Sequence, residues 1–189
     1  MTELKFANPG ALGLCAFGMT TLLVMFYDFT VRPIDSLAWG MMIFCGGLLQ
    51  LIAGAMEYRN GSTFGTVAFS LYGAFWMSFA FMGIATALGL QGPDATAKGM
   101  YLFVWFLVTL MLFFGTLKTT RALQMVFGLL AIVFLGLAIG SVFGNADVIM
   151  VSAAIGMILG VVAIYTGLAQ VINEANGEEV LPLFPVQKN

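Results

Sequence analysis

The sequence predicts an all-α membrane protein with six transmembrane helices. Only 8% of its 189 residues are charged and 61% are hydrophobic. Six runs contain no Asp, Glu, Lys or Arg, namely residues 6–27, 36–56, 60–93, 99–117, 122–146 and 148–173. Each can hold the roughly 20 apolar residues that a spanning helix needs. A charge near the bilayer midplane costs at least ~2.5 kcal/mol on insertion scales, so this distribution of charge indicates a bilayer protein.

Short polar segments separate these runs and leave no room for a soluble domain between helices. They are residues 28–35, 57–62, 91–94, 118–121 and 144–147. We therefore expect a single domain spanning residues 1–189. Its helices are expected at about 9–27, 36–56, 63–89, 99–117, 121–143 and 147–173.

Lys and Arg predict the orientation. One side of the membrane would carry Lys5, Arg59, Lys118, Arg121 and Lys188, and the other Arg32 and Lys98. The positive-inside rule then places both termini in the cytoplasm. The first apolar run is too long for a signal-peptide core and no small-residue cleavage site follows it, so we expect the first helix to be retained.

The residue content argues against several classes of function. The chain has no His, and its two cysteines, Cys15 and Cys45, lie within predicted helices as apolar packing residues. There is no nucleophile motif, no phosphate-binding loop with its Lys, and no basic patch for nucleic acid. We therefore expect neither an enzyme nor a metal or cofactor site.

Glycines recur at spacings that allow close helix packing. Gly136, Gly140 and Gly144 form one ridge, and Gly156 and Gly160 form another. Small residues at this spacing let backbones approach closely in lipid. The ridges would pack helices within one protomer or between subunits, and the sequence leaves both open.

An aromatic residue followed by Gly recurs at intervals of 55 residues. The pairs are Phe17-Gly18, Tyr72-Gly73 and Phe127-Gly128. They fall in the first, third and fifth helices, which run in the same direction, so three helix hairpins with pseudo-threefold symmetry are one interpretation. Coincidence in a chain rich in Phe and Gly is the other.

Polar side chains within the helices are candidates to line a pore. At membrane depth such groups face the interior of the bundle or water, and they include Thr20, Gln50 and Gln124. None is ionisable near neutral pH, which excludes a charged relay or a ring of charged side chains at the midplane. The permeant should be small and weakly polar. For any single Ser or Thr, a bond to a carbonyl of its own helix is the competing explanation.

The first helix begins with a motif suited to an anion. Asn8 can cap a helix and Pro9 suits its first position. The free N–H groups of this helix end would face an aqueous vestibule and attract negative charge.

Several motifs together carry a family resemblance. They comprise Asn8-Pro9, Leu12-Gly13-Leu14, Phe17-Gly18-Met19-Thr20-Thr21, Gly47-x-x-Gln50-x-x-Ala53-Gly54-x-x-Glu57-Tyr58, Thr63-Phe64-Gly65, Phe113-Phe114-Gly115-Thr116-Leu117-Lys118-x-x-Arg121-x-Leu123-Gln124 and Asn173-Glu174. The chain resembles the acetate uptake transporter family, the succinate-acetate permeases. Gly10 and Ala11 depart from the family signature, in which a second Pro stands in place of Ala11.

The resemblance implies a homohexamer of the plasma membrane or bacterial inner membrane, with a pore within each protomer. It implies an apolar constriction at Phe17, Tyr72 and Leu130. It also implies transport of acetate and similar monocarboxylates, with succinate as a further substrate and protons as the coupled ion.

Two carboxylates at predicted helix ends are open to two interpretations. Glu57 and Glu174 would form a proton or anion gate, or would pair with cations such as Arg59 at the membrane interface. For the whole chain, the alternatives to a monocarboxylate transporter or channel are a passive channel for a neutral solute such as urea and a membrane sensor that transports nothing.

Overall fold

Six long helices form the bundle. The computed structural model describes residues 7–186, so Lys5 and Lys188 of the charge count lie outside the described residues. The helices are α1 (Pro9–Phe29), α2 (Ser36–Arg59), α3 (Thr63–Ala87), α4 (Ala95–Gly115), α5 (Arg121–Phe143) and α6 (Ala146–Asn176). All six are long and apolar enough to cross a membrane, and the described residues contain only one isolated β-bridge, Thr120 to Pro185. The expected all-α fold with six spanning helices is confirmed.

Three helix ends differ from the expected bounds by three or four residues, and one of them is the end of α2, at Arg59 rather than 56. Helix α4 begins at Ala95 rather than 99, because Asp94 caps it by accepting a hydrogen bond from the Ala97 N–H at 2.7 Å. Helix α6 continues to Asn176 rather than 173, and Gly177 then ends it in the left-handed conformation (φ 71°) that glycine adopts without strain.

A side-chain cap starts every one of the six helices. The capping residues are Asn8, Asp35, Ser62, Asp94, Thr120 and Asn145. Each cap satisfies a backbone N–H that the helix itself leaves free. At Asp35, the Tyr27 hydroxyl also donates at 2.8 Å, and this bond together with the capped N–H groups holds the pKa of the carboxyl below its ordinary value.

Helix α2 contains a wider segment. Residues Met41–Leu49 are π-helical, and regular α-helix resumes at Gln50. Such segments are rare and change which side chains face a neighbouring helix. The sequence contains Gly46 and Gly47 here, and both are buried.

The most extensive contact in the bundle is between α1 and α6. A Cβ atom added to Gly18 would lie 2.7 Å from the Gly160 carbonyl oxygen, and one added to Gly160 would lie 2.8 Å from the Leu22 nitrogen. The two backbones therefore touch, as small residues permit in membrane proteins. Gly136 and Gly140 likewise pack on the start of α6. Gly144, the third member of the first predicted ridge, has no atom within 4 Å of the position of its missing Cβ and instead ends α5 in the left-handed conformation (φ 61°). The other four ridge glycines pack helices within the protomer.

This contact gives a stability prediction. Gly18→Ala should lower the free energy of unfolding by ~1–3 kcal/mol, because its methyl group would meet backbone atoms of α6 that cannot rotate away. The matched control is Gly40→Ala, where nothing lies within 4 Å and the gain in helix propensity should leave stability equal or higher. Thermal unfolding in detergent measures both. Equal melting temperatures for the two variants would show that the close contact is not needed.

Candidate functional site

A cavity of about 270 Å³ opens at the end of the bundle where α1 begins. Its walls come from α1, α2, α3, α5 and α6 and from two segments outside the helices, at Thr119–Thr120 and Leu183. The inner part is apolar, with Leu14, Phe69 and Val126 among its lining residues. We call it the first cavity. It is large enough for a small solute with its water.

The mouth of the first cavity is polar. Asn8 Nδ2 donates to Gln170 Oε1 at 2.7 Å, and Asn8 Oδ1 accepts from the Gly10 N–H at 2.9 Å. The Glu57 carboxylate lies beside them, with Oε1 3.3 Å from the position that a Cβ atom on Gly10 would occupy. Asn8 therefore caps α1 as expected and also ties its start to the end of α6. Both polar groups of its side chain are engaged within the protein.

Glu57 owes its place in the mouth to Gly65. A Cβ atom on Gly65 would lie 2.6 Å from Glu57 Cδ, so only glycine leaves the carboxylate its present room. Glu57 is 8% exposed and belongs to the last turns of α2. The start of α1, the positive end of its dipole, faces this carboxylate, which is the favourable arrangement.

An aromatic cluster closes the inner end of the first cavity. The ring centroids of Phe17 and Tyr72 lie 5.8 Å apart, and those of Tyr72 and Phe127 lie 6.1 Å apart. Leu130 lies one turn beyond Phe127 on α5 and also lines the cavity. We call Phe17, Tyr72, Phe127 and Leu130 the neck. The three aromatic residues spaced 55 apart in the sequence thus meet at one point.

The Tyr72 hydroxyl is the one polar group of the neck, and it is hydrogen-bonded to a residue of α4. The Tyr72 hydroxyl and the Thr109 hydroxyl are 3.0 Å apart, and both side chains are buried. The ring also packs near Trp105 at 6.1 Å. This bond satisfies the phenol within the protein, so the surface that the neck offers to a passing molecule is almost wholly hydrocarbon.

A second, smaller cavity of about 60 Å³ lies beyond the neck. Phe17 and Leu130 line both cavities, so these two side chains form the partition between them. The second cavity reaches Asp28 at the end of α1 and Lys98 near the start of α4, at the opposite end of the bundle. We call the two cavities and the neck between them the path; all of its lining residues come from a single chain.

The comparisons with known proteins agree with this architecture. A family model described as the GPR1/FUN34/yaaH family matches residues 1–188. The chain belongs to the GPR1/FUN34/yaaH family. This confirms the resemblance drawn from the motifs.

Several relatives of the chain carry the names of transport proteins. The chain is 44% identical over 184 residues to the succinate-acetate/proton symporter SatP of Escherichia coli (strain K12), covering 97% of this chain and 98% of that protein. It is 38% identical over 154 residues to acetate permease A of Emericella nidulans, covering 73% of this chain and 50% of the permease. The solved structure of the bacterial acetate channel SatP superposes with a TM-score of 0.93 at 44% identity, covering 95% of this chain and 99% of that one. The chain is a multi-pass membrane transport protein and not an enzyme.

Of the other residues expected in the pore, Gln50 lines the first cavity and Thr20 lines neither. Gln50 is 1% exposed, and within the described part of the chain its Oε1 has no hydrogen-bond partner. Thr20 is fully buried, with its methyl group beside Gly46 of α2, and its hydroxyl donates to the Ala16 carbonyl of its own helix at 2.9 Å. The adjacent Thr21 lines the second cavity instead. The threonine of α1 that lines a cavity in the structure is therefore Thr21, one position after Thr20.

Gln124 and Glu174 also lie away from the path. Gln124 Nε2 donates to the Thr116 and Leu117 carbonyls, which follow the end of α4. Its Oε1 accepts from Arg121 at 2.8 Å, so both ends of the side-chain amide are bonded within the protein. Glu174 lies on an outer surface with Glu178 and Glu179 and is exposed. Of the two predicted gate carboxylates, only Glu57 lines the path.

The sequence interpretation missed several lining residues. Phe127 was marked by its 55-residue spacing from Tyr72, but it was not assigned to the pore. Gln170 was not singled out from the other polar residues of the helices. Leu183 reaches the mouth because the tail is anchored there, with Asn173 Oδ1 accepting from the N–H groups of Val180 and Leu181 at 2.9 and 2.8 Å. No local pattern in the sequence signals that fold of the tail.

The different settings of two glutamines give a labelling prediction. In a variant with Cys15 and Cys45 replaced by Ala, Gln170→Cys should react quickly with a small water-soluble thiol reagent, because it lines the first cavity. Gln124→Cys, at the same end of the bundle, should react much more slowly because that side chain is buried against backbone carbonyls. Mass spectrometry of timed samples measures both rates. Similar rates would contradict the position of the cavity.

Proposed function

We propose that this protein carries acetate and similar small monocarboxylates across the membrane through the path within each protomer, and that a proton crosses with the substrate. The observation that carries the proposal is the apolar neck between two cavities. A family relative named as a succinate-acetate/proton symporter and a solved acetate channel of the same fold support the substrate class. Succinate is a second substrate under the same proposal.

The chemistry of the neck favours a neutral permeant. A charged group in an apolar, bilayer-deep setting costs at least ~2.5 kcal/mol unless a partner compensates it. Phe17, Leu130 and Phe127 offer no such partner, and Tyr72 is bonded to Thr109. Acetic acid avoids this cost because its proton neutralises the carboxylate. A hydrophobic constriction of this kind also excludes water and hydrated ions.

The first cavity and its mouth offer groups for a carboxylic acid. Buried polar atoms normally have a hydrogen-bond partner, and Gln50 Oε1 has none among residues 7–186, so it can accept the acid proton of the substrate. Glu57 places a negative charge at the mouth, which disfavours an incoming anion and favours the protonated acid. Glu57 is also the group that would exchange a proton with the substrate if the protein itself carries one.

The orientation and assembly are part of the proposal. Arg59, Lys118 and Arg121 lie at the end where α1 begins, and the positive-inside rule then places the first cavity and both termini on the cytoplasmic side. We expect the homohexamer implied by the family resemblance. Mass measurement of the detergent-solubilised complex tests the hexamer, and protease accessibility of a terminal tag in intact cells tests the orientation.

The neck gives the first functional prediction. Phe17→Ala should widen the partition and raise lactate uptake relative to acetate by roughly tenfold or more, the range seen when a pocket gains or loses a small group. The matched control is Phe44→Ala, a Phe that is 65% exposed on the outer surface of α2. Radiolabelled uptake in proteoliposomes measures the ratio. An unchanged ratio of lactate to acetate uptake in a folded Phe17→Ala protein would show that the neck does not select among substrates.

The second prediction concerns pH. Acetic acid has a pKa close to the ~4.3 of a free Glu, so the protonated fraction, and with it uptake, should fall steeply as the external pH rises from about 5 to about 8. Glu57→Gln should keep most of this dependence if the proton travels on the substrate. Glu174→Gln is the control, because Glu174 lies off the path.

Initial uptake rates across that pH range decide between the two proton carriers. A Glu57→Gln protein that still transports acetate but with a flat pH profile, beside a normal profile for Glu174→Gln, would show that Glu57 carries the proton. Parallel flux of labelled urea tests the alternative of a passive channel for neutral solutes.

A further inference from the structure

The second cavity carries two charged side chains that the path described so far does not use. Asp28 projects from the last turn of α1 and Lys98 from the first turn of α4, and both line the cavity beyond the neck. The rest of its wall is apolar or aromatic apart from Thr21 and Ser141. Glu57 thus lies at one end of the bundle, and a positive and a negative side chain lie together at the other end.

Lys98 is placed to attract anions. Its side chain is exposed, and Nζ lies 5.8 Å from the ring centroid of Phe79, within the range of a cation–π contact that holds the ammonium over the cavity wall. Among the residues that line the two cavities, Lys98 is the one cation. A charge of one sign at a cleft raises the local concentration of the opposite ion, and it does so more strongly at low ionic strength.

Asp28 is placed to act after Lys98. It is half-buried where Lys98 is exposed, so a molecule that enters from this end meets the lysine before the carboxylate. A monocarboxylate that becomes neutral as it leaves Lys98 has no charge for Asp28 to repel. A dicarboxylate brings a second negative charge into a narrow space of low polarity, where like charges repel strongly.

We propose that Lys98 and Asp28 form a charge filter at this mouth, in which Lys98 concentrates carboxylate anions and Asp28 disfavours those with two charges, so that acetate enters more readily than succinate. The inference rests on the proposed function, because it names the groups that select among carboxylates. Under the proposed orientation the filter faces outward. Arg32 lies at the same end of the bundle but over the ring of Phe26, at 5.9 Å, and does not line the cavity.

The test compares uptake of labelled acetate and labelled succinate by proteoliposomes. The proteoliposomes used are those in which the Lys98 side faces outward, and protease protection of a terminal tag establishes this orientation. Lys98→Gln should lower acetate uptake several-fold at low ionic strength, and the loss should shrink at high salt. Lys98→Arg should restore uptake. Arg32→Gln, the matched control, should behave as the wild type at both salt concentrations.

Asp28→Asn should raise the ratio of succinate to acetate uptake several-fold, and Asp147→Asn, outside the cavity, should leave it unchanged. If the wild type takes up acetate and the Lys98 and Asp28 variants show unaltered rates and ratios, the filter is overturned. The proposed function then still stands. A loss in Lys98→Gln that is independent of salt, or that Arg32→Gln shares, would also overturn it. Absence of acetate uptake by the wild type would overturn the proposed function and the filter together.

Discussion

The backbone contact between α1 and α6 is the interaction on which the path depends. Gly18 and Gly160 let the two helices touch, and Gly167 packs in the same way near the Ala11 carbonyl, at 2.9 Å from the position of its missing Cβ. With one face of α1 fixed on α6, the helix supplies Phe17 and Asp28 to the two cavities, and Asn8 at its start bonds to Gln170 of α6 at the mouth of the first. Without the hydrophobic effect to drive helices together in lipid, such close packing provides much of the attraction.

The position of α1 also explains why one short stretch of sequence carries so much of the site. Asn8 caps the helix at one mouth, Phe17 forms the partition about two turns further on, and Asp28 reaches the other mouth in the last turn. The helix thus spans the whole path. The remaining neck residues come from α3 and α5, the helices that carry the other two aromatic-Gly pairs.

The six helices could be predicted from the sequence, because charge is excluded from lipid. Three of the neck residues, Phe17, Tyr72 and Leu130, were implied by the family resemblance, and Phe127 was marked only by its 55-residue spacing. The direction in which single polar side chains point was not predictable in the same way. Thr20 and Thr21 are adjacent, and only the packing of α1 on α2 decides that Thr20 is buried and Thr21 lines a cavity. The π-helical segment before Gln50, the bonds of Gln124 and the fold of the tail over the mouth depend on tertiary contacts that no sequence period reveals.

The central claim is that substrate passes through the neck of each protomer, and filling the neck tests it most directly. Leu130→Trp places an indole ring in the partition. Ile132→Trp places the same ring on the outer surface of α5, where Ile132 is 54% exposed. Acetate flux into proteoliposomes is measured for both proteins at matched melting temperature and assembly state. The account predicts that flux is lost in Leu130→Trp and kept in Ile132→Trp. Undiminished flux through a folded Leu130→Trp protein would contradict it.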